Sequence, residues 1–190
     1  MKMGLITSIF ETLTLEQVID FAAETGLECL EVACWPSSGG AKRCYAGTCH
    51  IDAQALTKAR ADEINAYLAK KHVTISALAY YPNTLDPDLE KREAYIRHLR
   101  MLIDAAQLLG VGLVTTFLGR VPQWTVSRNL EEVKSVWPAI LDYAAEKGVR
   151  IAIENCPMLF TEDEWPGGQN LMTSPANWRK VFEILPHENP

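Results

Sequence analysis

Five short apolar runs alternate with five amphipathic stretches along the chain, and this alternation constrains the fold more than any other feature. The runs are rich in β-branched residues, as in buried strands, whereas the stretches repeat apolar residues at helical spacing. Uninterrupted alternation of strands and helices predicts an α/β fold with a parallel sheet and right-handed crossovers. The predicted strands are Met3–Ser8, Cys29–Ala33, Val73–Ala79, Leu113–Leu118 and a run that begins at Val149.

Capping and turn residues predict where the helices begin. Thr14 and Gln17 have the spacing of a capping box, and Asp52 is expected to cap the second helix. The remaining helices are predicted from Asp86–Pro87 to Leu109, over about Leu130–Lys147, and from Ser174–Pro175 to near Leu185. The long segment from Trp35 to Ile51 is predicted to be a loop, and loops of this length are usually functional or disordered.

Polar and aromatic residues gather directly after the predicted strands, which is the pattern of the active face of a barrel. These residues are Trp35, Tyr80, Tyr81, Asn83, Thr116, Arg120 and Glu154. An open dinucleotide-binding sheet would need a glycine-rich turn after the first strand, whereas Thr7–Glu11 follows it. An eight-unit barrel needs about 250 residues. We therefore expect residues 1–190 to form one partial (β/α)8 TIM-barrel domain with about five of the eight units.

Glu154 and Asn155 follow the apolar run that begins at Val149, and Pro157 ends that strand. A carboxylate at the carboxyl end of a buried parallel strand lies where barrels keep their chemistry, and it either binds a metal or moves a proton. The alternative is a glutamate that caps the strand and pairs with a nearby lysine or arginine.

Composition narrows the class of protein. A net charge of −6 argues against binding to nucleic acid or to an anionic membrane surface. The sequence shows no apolar run of membrane-spanning length and no signal pattern at its N-terminus. Five cysteines, an odd number, fit a reducing cytoplasm better than a disulfide framework. A mildly acidic cytoplasmic protein is expected.

Four segments give the chain a family resemblance. They are Ile153–Gly168 (IENCPMLFTEDEWPGG), Glu31–Pro36 (EVACWP), Ala79–Asn83 (AYYPN) and Thr115–Arg120 (TTFLGR). Together they resemble the sugar phosphate isomerase/epimerase family, whose fold is the xylose isomerase-like barrel. The resemblance covers the whole chain and identifies the superfamily better than the substrate.

The resemblance implies a metal-dependent isomerase or epimerase that acts on a sugar or sugar phosphate. The metal would be held by a Glu, an Asp, a His and a second Glu, of which Glu154 matches the first. The other three would follow Pro190, so the chain alone is expected to be inactive. The implied reaction moves a proton beside a carbonyl through an enediolate, with Glu154 as a catalytic residue. Oxygen and nitrogen ligands suit Mn, Mg, Co or Zn.

Seven residues are predicted to bind the substrate, and some of them have a structural alternative. They are Trp35, His50, Tyr81, Asn83, Thr116, Arg120 and Asn155. Arg120 can clamp a phosphate or hydroxyl, or form a surface salt bridge. Tyr80 and Tyr81 are neighbours and point to opposite faces, and Tyr81 is favoured for the site because it lies beside Pro82 and Asn83. Trp35 can form a wall for a sugar ring or simply pack, and His50 can contact a hydroxyl or anchor the loop.

Other readings remain open. A zinc site could be formed by Cys29, Cys34, Cys44, Cys49 and neighbouring His50. Their spacing is, however, unlike the close spacing that is usual for zinc ligands. An abasic-site endonuclease would need a basic DNA-facing surface and several metal-binding histidines. A non-catalytic fragment or binding module is the other alternative. With five units, the first and last strands would be open edges without lysine or proline. The chain is therefore expected to form a homo-oligomer through its open sheet, to bind a complementing fragment or to aggregate.

Overall fold

The computed structural model describes residues 1–37, 47–157 and 168–185. Strands and helices alternate through these residues, and the five strands form a parallel sheet in the order β1-β2-β3-β4-β5. The strands are β1 Gly4–Ile6, β2 Cys29–Ala33, β3 Thr74–Ala79, β4 Leu113–Thr116 and β5 Arg150–Ile153. The helices are α1 Leu15–Glu24, α2 Lys58–Lys71, α3 Leu89–Leu109, α4 Val126–Val136, α5 Pro138–Glu146 and α6 Pro175–Ile184, with a 3₁₀ helix at Thr7–Ile9. The predicted α/β class and parallel sheet are confirmed.

The chain divides into two compact units. The first unit comprises Met1–Tyr80 and Met101–Val114, and the second comprises Tyr81–Arg100 and Thr115–Pro190. Each unit is described below by itself. The prediction of a single domain stays a prediction.

The first unit is built on the β1–β2–β3 ladder. Gly4 pairs with Cys29, and Cys29 pairs with Thr74 on its other side. Gly4 lies so close to β2 that a Cβ atom there would be 2.3 Å from the Cys29 carbonyl oxygen. The predicted capping box at the start of α1 is confirmed, because the Thr14 hydroxyl accepts from the Gln17 N–H and the Gln17 side chain accepts from the Thr14 N–H.

The second helix begins later than predicted. The hydroxyl of Thr57 accepts from the Arg60 N–H at the start of α2, so Thr57 and not Asp52 is its cap. Asp52 Oδ1 instead accepts from the N–H groups of Gln54 and Ala55 in a separate turn. Both residue types favour caps and turns by the same side-chain hydrogen bond, which is why local sequence selected the wrong one.

The third and fourth helices also differ from the predictions. α3 begins at Leu89, because Asp88 Oδ1 accepts from the Glu90 N–H while Asp86 accepts from the Asp88 N–H. The predicted fourth helix is two helices, α4 and α5, which meet at Trp137. Pro138 has no N–H and so cannot continue the hydrogen-bond ladder of α4, but it suits the first position of α5.

Within the second unit, β5 packs one face against helices. The side chains of Ile151 and Ile153 line an apolar pocket with residues of α5 and α6, including Leu141 and Val181. Trp137 is buried in the same pocket, and its indole N–H donates to the Leu118 carbonyl at 3.1 Å. Because strand side chains alternate, Ala152 and Glu154 face away from these helices. The described residues contain no helix that is both long and apolar enough to cross a membrane.

Candidate active-site face

Glu154 leaves the carboxyl end of β5 on the side of the sheet opposite the helices. Its N–H donates to the Thr116 carbonyl at 3.0 Å. In a parallel pair of strands, the N–H of a residue donates to the carbonyl of a residue on the partner strand, and the donating residue lies opposite the residue that follows this acceptor. Thr74 shows this rule in the first unit, because it bonds the Glu28 carbonyl and pairs with Cys29. Glu154 therefore lies opposite Phe117, with its side chain on the same face, and it is exposed.

Tyr81 shares this face through two contacts. Its ring packs on Phe117 with the ring centroids 4.8 Å apart. Its hydroxyl donates to Thr115 Oγ1 at 3.1 Å. We call Tyr81, Thr115, Phe117 and Glu154 the inner face. It combines two aromatic rings, two hydroxyls and a carboxylate, which are the groups that bind a polyol through stacking and hydrogen bonds.

Thr115, rather than the predicted Thr116, belongs to the inner face. Alternation along β4 puts Thr116 on the opposite side from Thr115 and Phe117. Thr116 is fully buried, whereas Thr115 is half-buried and bonded to Tyr81. The alternation along a strand predicts that neighbouring side chains lie on opposite faces, but it does not predict which of the two faces inward. The proposed role of Thr116 in binding substrate stays a prediction that this placement does not favour.

Asn83 organises the backbone around Arg120. Its Oδ1 accepts from the N–H groups of Arg120 at 2.9 Å and Leu85 at 3.2 Å, and its Nδ2 donates to the Arg120 carbonyl at 2.8 Å. The side chain is 3% exposed. Gly119 allows the close approach, because it has a φ of +85° and a Cβ there would lie 2.5 Å from Asn83 Oδ1. The described bonds of Asn83 position the Arg120 backbone, and its binding of substrate stays a prediction, as does that of Arg120.

Asn170 stabilises the turn that follows β5, and no motif in the sequence predicts this role. Its Nδ2 donates to the carbonyls of Glu154 at 2.9 Å and Cys156 at 2.6 Å. It is fully buried, although it lies in an unremarkable polar segment before α6. Asn155 lies between the two bonded carbonyls and is exposed. The predicted contact of Asn155 with substrate stays a prediction.

Trp35 and His50 belong to the first unit, where both are tied to neighbouring residues. The rings of Trp35 and Tyr80 pack edge to face with centroids 5.0 Å apart, and Tyr80 is buried. His50 Nε2 donates to the Leu13 carbonyl at 3.2 Å. Burial lowers the pKa of His50, and the hydrogen bonds to the carbonyls of Leu13 and Phe10 oppose this shift only in part. These contacts support the loop-anchoring alternative for His50.

Cys29 and Cys34 do not converge on a zinc site. Cys29 pairs with Thr74 at the start of β2, whereas Cys34 follows the end of the strand. Five residues of strand separate them by roughly 16 Å. Cys44 lies outside the described residues. Within residues 1–37, 47–157 and 168–185, no group of three or more His, Cys, Asp and Glu side chains could hold a metal ion.

Comparison with known families decides the classification. Residues 19–189 match the family described as the xylose isomerase-like TIM barrel. The chain belongs to this family. Its predicted resemblance and barrel type are thereby confirmed. No curated protein matches the sequence of this xylose isomerase-like chain.

Solved structures show the same fold. The IOLI protein with a bound zinc atom superposes with a TM-score of 0.73 at 15% identity, over 100% of this chain and 60% of that protein. A D-psicose 3-epimerase from Clostridium cellulolyticum H10, solved with D-tagatose, gives 0.70 at 15% identity, over 100% and 61%. The probable 3-DHS dehydratase AsbF from Bacillus anthracis gives 0.68 at 18% identity, over 100% and 61%. This xylose isomerase-like chain thus spans about three-fifths of the length of these structural relatives.

Proposed function

We propose that this chain carries the substrate-binding face and the first carboxylate of an enzyme that isomerises or epimerises a small sugar or sugar phosphate. One observation carries the proposal: Glu154 is exposed at the end of β5, opposite Phe117 and on the face that Tyr81 and Thr115 share. A structural relative solved with D-tagatose supports a ketose-sized ligand.

The inner face supplies two kinds of contact for such a ligand. The rings of Tyr81 and Phe117 offer an apolar wall, against which the C–H face of a sugar packs. The hydroxyls of Tyr81 and Thr115 can each exchange hydrogen bonds with sugar hydroxyls. Asn83 and Gly119 fix the backbone at Arg120, whose guanidinium suits a phosphate or a hydroxyl pair.

Glu154 is proposed to act at the reacting carbon, as a metal ligand and as a carboxylate near the transferred proton. A divalent Mn, Mg, Co or Zn ion, when bound, would polarise the carbonyl and its neighbouring hydroxyl. The carboxylate of Glu154 fits one position of such a site. The described residues do not complete a metal site, so the roles assigned to this chain, besides that of the Glu154 carboxylate, are binding and orientation of the substrate.

A binding experiment tests the inner face in the chain itself. Saturation-transfer NMR with D-tagatose and with D-psicose should show contact with the protein, and Tyr81→Phe should weaken binding by roughly five-fold, the loss of one hydrogen bond. Glu183→Gln is the matched control for Glu154→Gln, because Glu183 is exposed on α6. We expect the Glu154 variant to lose binding and the Glu183 variant to retain it. Equal signals from both variants would contradict the assignment of the inner face.

A second experiment addresses catalysis. In a polypeptide that also carries the remaining barrel strands, Glu154→Gln should abolish turnover and tight Mn²⁺ binding. Unchanged activity in metal-stripped buffer would defeat the proposed role of Glu154.

A non-catalytic binding module is the second candidate function. It is favoured by one observation, that the described residues bring together no group of three metal-ligating side chains. Binding of a sugar to the inner face without turnover in the longer polypeptide would select this candidate. The abasic-site endonuclease remains the least favoured reading because of the net charge of −6, and salt-dependent DNA binding would test it.

A further inference from the structure

Cys34 and Cys49 lie directly opposite each other in a short antiparallel bridge of the first unit. The Trp35 N–H donates to the Thr48 carbonyl at 3.1 Å, and the His50 N–H donates to the Ala33 carbonyl at 2.9 Å. These two bonds flank the cysteines on either side, so the cysteines form a non-hydrogen-bonded pair. In such a pair the Cα atoms are about 4.5 Å apart and the side chains leave the same face.

This geometry falls within the range of a disulfide, which needs Cα atoms roughly 4.4–6.8 Å apart. The bridge is also held in place on both sides, because the Thr48 hydroxyl donates to the Ser8 carbonyl at 3.3 Å and the Cys34 N–H donates to the Ala79 carbonyl at 2.9 Å. Both cysteines are thiols in this structure, and the Cys34 thiol donates to the Val32 carbonyl at 3.3 Å. Closing the bond therefore requires side-chain rotation and little movement of the backbone.

We propose that Cys34 and Cys49 are a redox modification site, at which a small-molecule disulfide such as oxidised glutathione converts the two thiols into a cross-strand disulfide. Cys49 is half-buried and reacts first, since Cys34 is fully buried. The Cys49 thiolate attacks one sulfur of the reagent and releases one glutathione thiolate. The Cys34 thiolate then attacks the Cys49 sulfur and releases the second. Two protein thiols are oxidised, the reagent disulfide is reduced, and two protons pass to the released thiolates or to solvent.

The pKa values of the two thiols determine the rate of this thiol–disulfide exchange. Burial, and to a lesser degree the Asp52 carboxylate, raises the pKa of Cys49 to about 11. Burial also raises the pKa of Cys34, with Cys49 and Asp52 as the neighbouring charges that add to the shift. Because the thiolate is the reactive form, the rate should increase about ten-fold per pH unit between pH 7 and pH 10.

Peptide mapping tests the assignment. Trypsin separates residues 3–42, which contain Cys29 and Cys34, from residues 44–58, which contain Cys44 and Cys49. In the double variant Cys29→Ala/Cys44→Ala, a crosslink between these peptides can join only Cys34 and Cys49. We expect oxidised glutathione to crosslink this variant as readily as the wild type. A variant that stays uncrosslinked, or that stops at a mixed disulfide on Cys49, would overturn the proposal.

Single variants and thermal unfolding give an independent check. Alanine is a suitable replacement, because buried cysteine behaves as a small hydrophobic residue. Cys34→Ala and Cys49→Ala should each abolish the crosslink, and its persistence in either would overturn the proposal. Oxidation should raise the Tm of the wild type by about 5–10 °C, because it closes a covalent loop between residues 34 and 49. Dithiothreitol should reverse the increase, and a Tm that does not change on oxidation would contradict the low-strain geometry.

Discussion

Asn83 should be one of the most sensitive polar residues of the second unit. Replacement by alanine removes three hydrogen bonds to backbone groups of Leu85 and Arg120 at a position that is 3% exposed. A buried backbone group left without a partner costs about 1–3 kcal/mol, and a typical bond contributes about 1 kcal/mol net. Because water can reach some of the freed groups, we expect Asn83→Ala to lower the free energy of unfolding by about 2–4 kcal/mol.

The assay is urea unfolding followed by circular dichroism, with Asn65→Ala as the matched control. Asn65 donates one hydrogen bond, to the Leu109 carbonyl at 3.1 Å, from an exposed position in α2. Alanine is also the better helix former, so this control should change stability by less than about 0.5 kcal/mol. Asn83→Asp retains the acceptor for both N–H groups and should fall between the two alanine variants.

A second substitution probes the same contact from the other side. Gly119→Ala introduces a Cβ 2.5 Å from Asn83 Oδ1 and 2.8 Å from the Leu85 nitrogen, at a φ of +85°. Asn83→Ala removes the first clash but not the second, so the double variant should cost less than the sum of the single variants by about 0.5–2 kcal/mol. Strict additivity, or a cost for Asn83→Ala within about 0.5 kcal/mol of the Asn65 control, would refute the reasoning.

Three further predictions concern pH, turnover and association. Because burial lowers the pKa of His50 in the folded protein, the unfolded chain binds a proton on this residue first as the pH falls through about 6.5. The free energy of unfolding should therefore decrease from that pH down to the lower folded pKa. His50→Asn should flatten the pH dependence of the urea midpoint over this window, and an unchanged slope would contradict the shift. The 190-residue chain should not turn over ketoses, since the part of it that the structure describes brings together no group of three metal-ligating side chains, and turnover sensitive to Glu154→Gln would show this to be wrong. β1 and β5 lie at the two ends of the strand order, and their sequences lack the lysine and proline that usually protect an edge strand from pairing. Light scattering at tens of micromolar protein should therefore show dimers or larger species. A monodisperse monomer with a cooperative thermal transition would contradict this.

The strands could be predicted from sequence because their signal is local. Cys29–Ala33 was predicted with its observed bounds, and the core of every other strand lies inside its predicted run. Helix starts were less predictable, because Asp52, Thr57, Asp86 and Asp88 all offer similar capping chemistry. Tertiary context selects among them, and the local sequence does not contain that information.

In the candidate site, too, local sequence predicts some features and tertiary contacts decide the others. The place of Glu154 at the end of β5 followed from the apolar run before it and Pro157 after it. Its opposition to Phe117 depends on the pairing register, which a single strand does not encode. Asn170 was missed because its bonds to Glu154 and Cys156 join residues at least fourteen positions apart with no motif between them.

Gly4 has a consequence for the alignment of the first strand. The space beside the Cys29 carbonyl admits a hydrogen atom and excludes a methyl group. If β1 slid by one residue in either direction, Met3 or Leu5 would bring a side chain into that space. The glycine therefore fixes the register in which β1 pairs with β2. A residue inserted or deleted before Gly4 is tolerated only if the glycine still lies opposite Cys29. Gly4→Ala should loosen the docking of the strand that opens the barrel wall, even though it removes no contact.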